Sequence, residues 1–197
     1  MIRCFIAIDL DPEVRRRLGD VQDHLRAALR GEPLRWVRPD GVHLTLKFLG
    51  DQPADRIESI QQVLSDWASD VHPFDLRIAG AGAFPDVARP QVVWVGVHEA
   101  SGKLPGWVDR LEAQLEPLGV RREGRPYQAH LTLARIKDRL TPEALHRLQE
   151  ELGGFDEPAI ATLRVEDVIL FRSELRPTGA EYSALATSRL GRGEGHG

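Results

Sequence analysis

The four residues His43-Leu44-Thr45-Leu46 recur as His130-Leu131-Thr132-Leu133, 87 positions further on. Both copies sit in apolar, alternating segments that read as β-strands, and in a strand residues i and i+2 share a face. Each copy therefore presents an imidazole and a hydroxyl to one side and two leucines to the other. Two such strands brought together line a cleft with two histidines and two threonines. Proton transfer at a phosphodiester needs that set: one base, one acid, and donors for the non-bridging oxygens. An imidazole, with an ordinary pKa near about 6.5, serves as either at neutral pH.

A lone histidine in a strand is most often structural. Two of them, each followed two places later by threonine and flanked by the same leucines, carry more weight than either tetrapeptide alone. No Asp or Glu lies near enough to complete the three protein ligands of a catalytic zinc. Acid–base chemistry without a metal or cofactor is therefore the expected reading. The other histidines (His24, His72, His98, His146 and His196) lack partner chemistry and read as surface.

Phe48 and Arg135, each five residues past its histidine, extend the two phrases. Strict alternation puts both on the face opposite their histidines. A site role for them demands a bulge, a sharp twist or a strand end between 46 and 48 and between 133 and 135. Lys47, by contrast, shares the parity of His43 and Thr45 and is expected to reach the groove and help hold phosphates.

The elements that must position these residues follow from pattern and punctuation. Ile2 to Leu10 reads as a strand stopped by Asp11-Pro12, an N-cap and first-turn pair opening a helix with Val14, Leu18, Val21, Leu25 and Leu29 at helical spacing. A short strand, Leu34 to Val37, and a Pro39-Asp40-Gly41 turn precede the first phrase, a strand from Val42 to Leu49. Helices are expected over Asp55–Ser69, Lys103–Leu118 and Pro142–Leu152, the last capped by Thr141. Further strands are expected over Pro73–Ala79, Gln91–Val97, Ala129–Ile136, Ala161–Arg172 and Glu181–Arg189. Gly80-Ala81-Gly82 reads as a plain turn and residues 191–197 as a frayed tail. The mixture is α+β with mainly antiparallel sheet. One phrase per half, each followed by a helix, points to duplication and two lobes related by a pseudo-twofold axis, within a single bilobal domain over 1–190.

Composition bounds the partners. Hydrophobic content of 42% and charged content of 28% are ordinary for a soluble protein. A net charge of −4 argues against a long electrostatic grip on a nucleic-acid backbone and leaves a terminus or small anion open. Cys4 is the only cysteine, which excludes an internal disulfide. No apolar run reaches the roughly 20 residues of a membrane span, so no membrane partner is expected, and a cytoplasmic monomer is the simplest reading.

The pair His43-x-Thr45-x-x-Phe48 and His130-x-Thr132-x-x-Arg135 resembles the extended motifs of the two-histidine (2H) phosphoesterases, in particular the RNA 2′,3′-cyclic phosphodiesterases, or 2′-5′ RNA ligases. The likeness extends through the RCFIAIDL strand, Arg35-Trp36-Val37, LTLKFLG, the Gly80-to-Pro85 bend, VVWVGV, and Leu170 to Ser173; Arg38 and Ala129 stand where prolines are frequent. It implies a bilobal α+β fold with both motifs facing a central groove, acting on RNA with a 2′,3′-cyclic phosphate end, without metal. By the same resemblance His43 is the general acid, His130 the general base, and Thr45 and Thr132 donate to phosphate oxygens. Arg135 clamps the phosphate and Phe48 stacks on the terminal base. Arg121, Arg122 and Arg125 are candidates for a basic rim, while Trp36 and Tyr127 read as packing. A bell-shaped rate–pH profile bounded by two imidazole-like ionisations is expected. Two other readings share these residues: a reversible ligase or phosphodiesterase at 2′-5′ linkages, and a non-catalytic module that binds nucleotides or RNA ends.

Overall fold

Strand pairing divides the molecule into two antiparallel sheets, one of four strands and one of five, seen in a computed structural model that describes residues 1–155, 158–176 and 179–191. In chain order the elements are β1 (Ile2–Ile8), α1 (Pro12–Ala28), β2 (Leu34–Trp36), β3 (Leu44–Gln52), α2 (Ile57–Ser69) and β4 (Phe74–Phe84). There follow β5 (Val92–Glu99), α3 (Leu104–Leu115), β6 (His130–Ile136), α4 (Pro142–Leu152), β7 (Ala161–Val165), β8 (Asp167–Arg176) and β9 (Gly179–Arg189). The first sheet runs β3-β1-β8-β9 and the second β2-β6-β5-β4-β7. Helices α2 and α3 pack against the first sheet, α1 and α4 against the second.

The expected α+β architecture is what forms. Helix starts obey local chemistry: Asp11 accepts from the Val14 amide at 2.8 Å and Thr141 from the Ala144 amide at 3.2 Å, each with proline next in line. Helix α1 then buries Val14, Leu18, Val21 and Leu25.

Duplication is visible in the register. β1 pairs β3 with Phe5 opposite Phe48 and Ala7 opposite Thr45; β5 pairs β6 with Val92 opposite Arg135 and Trp94 opposite Thr132. Every one of those residues is offset from its counterpart by the same 87 positions. Each sheet carries one histidine phrase, but the sheets are not the two halves of the chain. β4, from the first half, pairs with β5, while β8, from the second, pairs with β1. The halves are interlaced, so each layer draws strands and a helix from both.

Several boundaries differ from the sequence expectations. The strand expected over Ala161–Arg172 is two strands in different sheets, broken at Glu166 where the chain crosses between layers. The expected turn at Gly80-Ala81-Gly82 lies inside β4, where Gly80 at φ 74° allows an irregularity against β5 instead of a reversal. The helix expected over Lys103–Leu118 tightens into a 3₁₀ turn at Glu116–Leu118 and ends on Gly119 at φ 79°. Asp55 lies in a 3₁₀ turn, Ala54–Arg56, that leads into α2. β3 starts at Leu44, leaving His43 just outside it. Gly191 is not frayed: its amide lies against the Ala68 and Val71 carbonyls, and residues 192–197 lie outside the described residues.

Candidate active site

The two histidine phrases open into one groove of about 1480 Å³, lined from both sheets. His43, Thr45 and Phe48 reach it from the first sheet, His130, Thr132 and Arg135 from the second. The parity conflict over Phe48 and Arg135 is resolved by two β-bulges. On β3, Ala7 faces Thr45 and Ile6 faces Lys47, so Leu46 is the extra residue; on β6, Trp94 faces Thr132 and Val93 faces Ala134, so Leu133 is. Consecutive buried pairs, Leu46-Lys47 and Leu133-Ala134, mark the two inversions. Past each bulge the faces exchange, which turns Phe48 (61% exposed) and Arg135 out on the histidine side.

The same inversion turns Lys47 inward, correcting the expectation that its ammonium holds phosphates. Its side chain is 1% exposed and its Nζ donates to Glu112 of α3 at 2.6 Å, with Glu123 at 3.6 Å. The Glu112 carboxylate also accepts from the Glu123 amide at 3.2 Å. A buried cation must have such a partner, and this one is committed to the join between β3 and α3.

Aromatic rings frame the two imidazoles unequally. Phe5 stacks on His43 at 4.6 Å between centroids, with Phe171 at 6.0 Å and the edge of Tyr182 at 5.1 Å. His130 meets Phe84 edge-on at 4.9 Å and Trp94 at 6.4 Å. Phe84 and Phe171 are 87 positions apart, whereas Phe5 has Val92 as its counterpart, so the face-on partner exists on one side only. Burial in this stack pushes the His43 pKa down to about 4. Nearby Asp9 works in the opposite direction and Arg15 with the burial; those two side chains pair with each other.

Backbone carbonyls two residues upstream orient both rings. The Nδ1–H of His130 donates to Gln128 O at 2.8 Å, which leaves Nε2 with its lone pair. The Gly41 backbone makes the corresponding hydrogen bond to His43. Tyr127 joins the lobes: its hydroxyl donates to the Thr45 carbonyl at 3.0 Å, and burial pushes its pKa up. Gln22 of α1 is buried, and its carboxamide donates to the carbonyls of Val37 and of the bulge residue Leu133, at 2.8 and 2.9 Å.

Of the proposed basic rim, Arg125 lines the groove, while Arg121 and Arg122 line a second hollow beside Phe48. Trp36, in β2, carries the Arg26 guanidinium over its ring at 5.1 Å. His24 and His146 pair with Glu151 and Glu150 on the surface, His98 sits near the Ala79 carbonyl, and His196 is outside the described residues. Sequence reasoning missed Phe5, Gln22, Phe84, Trp94, Phe171 and Tyr182. The 87-residue offset between Phe84 and Phe171 is a signal that could have found that pair.

A groove holding two oriented imidazoles, two hydroxyls and a guanidinium defines a phosphoesterase type of site. The family model described as LigT like Phosphoesterase matches this chain twice, over residues 8–94 and 95–182. The RNA 2′,3′-cyclic phosphodiesterase of Methanothermobacter thermautotrophicus is 34% identical over 189 residues, covering 96% of this chain and 99% of that one. That of Thermus thermophilus is 36% identical over 202 residues, covering 100% and 93%. Among solved structures, TT0787 of Thermus thermophilus superposes with a TM-score of 0.77 at 27% identity over 97% of this chain and 99% of its own. E. coli LigT complexed with 3′-AMP superposes with a TM-score of 0.74 at 25% identity over 96% and 98%. The chain belongs to the LigT-like phosphoesterase family. No helix among the described residues is long and apolar enough to cross a membrane.

Proposed function

We propose that this protein hydrolyses the 2′,3′-cyclic phosphate at an RNA end to a 2′-phosphomonoester. The observation that carries the reading is the one groove lined by both His-x-Thr faces, with matched bulges turning Arg135 and Phe48 to the same side. Curated relatives named for this activity, alignable over nearly the whole chain, support it.

In this reading His130 accepts a proton from water at Nε2, since its Nδ1–H is held by Gln128. The water oxygen bonds to phosphorus, the bond from phosphorus to O3′ breaks, and O3′ takes a proton from His43. The products are a 2′-phosphate and a 3′-hydroxyl, and proton exchange with solvent resets the imidazoles. Thr45 and Thr132 donate to the non-bridging oxygens and Arg135 pairs with the phosphate, its planar fork suited to two oxygens. Phe48 stacks on the terminal base whatever its identity. Burial keeps His43 neutral near pH 7 in the free enzyme; an arriving phosphodiester anion favours its charged form and supplies the acid.

An RNA oligomer with a cyclic phosphate end, incubated in excess EDTA, tests this. The expected product carries a 2′-phosphate, and His43→Ala or His130→Ala lowers kcat by about 10²–10⁴-fold. A 3′-phosphate product would reverse the assigned leaving group. Joined or cleaved 2′-5′ linkages without hydrolysis would favour the ligase reading, and binding without turnover the non-catalytic one.

A further inference from the structure

Beside the main groove lies a second hollow of about 500 Å³, walled on one side by Phe48 and Gly50 and on the other by residues 120–124. Phe48 and Gly50 line both spaces, so Phe48 stands on the ridge between them. We infer that this hollow is a subsite for the nucleotide preceding the cyclic-phosphate end, with Arg121 meeting its phosphate; the inference rests on the function proposed above.

The segment that forms the far wall is held from beneath. Glu112 accepts from the Glu123 amide at 3.2 Å, and Arg122 pairs with Asp109 at 3.1 Å and reaches Glu112 at 4.0 Å. Those contacts occupy Arg122, and the exposed Glu123 carboxylate is partly offset by Lys47 at 3.6 Å. Arg121 is exposed, lines the hollow and makes no ion pair among the described residues. A cation on one wall and an aromatic ring on the other are the two elements with which proteins hold single strands independently of sequence. With the last base on Phe48 and its phosphate between the histidines, the adjoining nucleotide has this hollow next to it. The net charge of −4 fits a grip limited to one or two phosphates.

The test compares kcat/KM for a trinucleotide ending in a 2′,3′-cyclic phosphate with that for the 2′,3′-cyclic mononucleotide. The wild-type ratio is expected to exceed about tenfold at low salt. Arg121→Ala should lower it by about five- to tenfold, and Arg121→Glu further. The dependence of log kcat/KM on log salt for the trinucleotide should flatten by about 0.7 in Arg121→Ala. Arg16→Ala, a charge loss on the exposed face of α1, should leave the ratio at its wild-type value. A wild-type ratio near one, or a ratio that survives both Arg121 substitutions, would overturn the subsite while mononucleotide turnover left the proposed function standing. Turnover of neither substrate would remove the function and the subsite with it.

Discussion

Leu46 and Leu133 occupy the same place 87 residues apart: each is the unpaired residue of a β-bulge directly after a His-x-Thr sequence. In regular strands Lys47 and Ala134 would face the groove, with Phe48 and Arg135 in the core. One extra residue on each strand exchanges both pairs. The outcome is symmetric for the site and asymmetric for the core, which receives a methyl group on one side and an ammonium on the other.

That asymmetry makes the Lys47–Glu112 pair separable by mutation. Lys47→Met leaves the carboxylate of Glu112 buried without its principal cation, and should cost about 3 kcal/mol. Adding Glu112→Leu should recover most of that loss. Urea unfolding of the two single variants and the double variant measures the coupling directly. A near-zero cost for Lys47→Met would show that the pair contributes nothing net.

Burial of His43 shifts the limb set by the general acid. As the proposed general acid His43 must be protonated, so its limb of the kcat/KM profile is the alkaline one, falling as pH rises past about 4, because that parameter reports the free enzyme. Removing part of the ring cover with Phe171→Ala admits water, favours the imidazolium and moves this limb up toward about 6.5. A pH profile that is the same in wild type and Phe171→Ala would contradict the assignment of the limb to His43.

The same group links stability to pH. Its folded pKa lies below its unfolded one, so the folded state binds fewer protons across the interval between them. Stability is therefore complete above about pH 6.5 and declines as pH falls toward about 4, by about 2 kcal/mol at pH 5. His43→Asn should remove this component, leaving a smaller difference between urea midpoints at pH 7 and pH 5 than in the wild type. Equal differences would mean that His43 is not desolvated.

Gly82 is required by a close approach: a Cβ there would run into the Trp94 indole. Gly82→Ala must push that ring away, and Trp94 with Phe84 frames His130. Turnover should fall by about tenfold in a protein that still folds, a loss read as kcat by single-turnover kinetics with the near-ultraviolet circular dichroism of Trp94 as the structural control. Wild-type kcat in a folded variant would show that the ring position is immaterial.

Local rules make much of this protein legible from residue type and spacing. Asp11 and Thr141 announce their helices because a cap is satisfied within three residues, and the repeated His-Leu-Thr-Leu declares a two-sided site through residue type and strand period alone. The α+β class follows from the same periodicities.

What lay beyond the sequence depends on partners distant along the chain. Nothing within LTLKFLG marks Leu46 as a bulge; pairing with Ile6 and Ala7 does, and that pairing decides that Phe48 faces the groove and Lys47 the core. The division of residues 161–172 between two sheets comes from β7 pairing with β4 and β8 with β1, an interlacing of halves that hydrophobic pattern cannot express. Residue types and their spacing settle which groups are available for chemistry. Tertiary structure decided which way they point and how they ionise, because strand register and desolvation are properties of neighbours supplied by the fold.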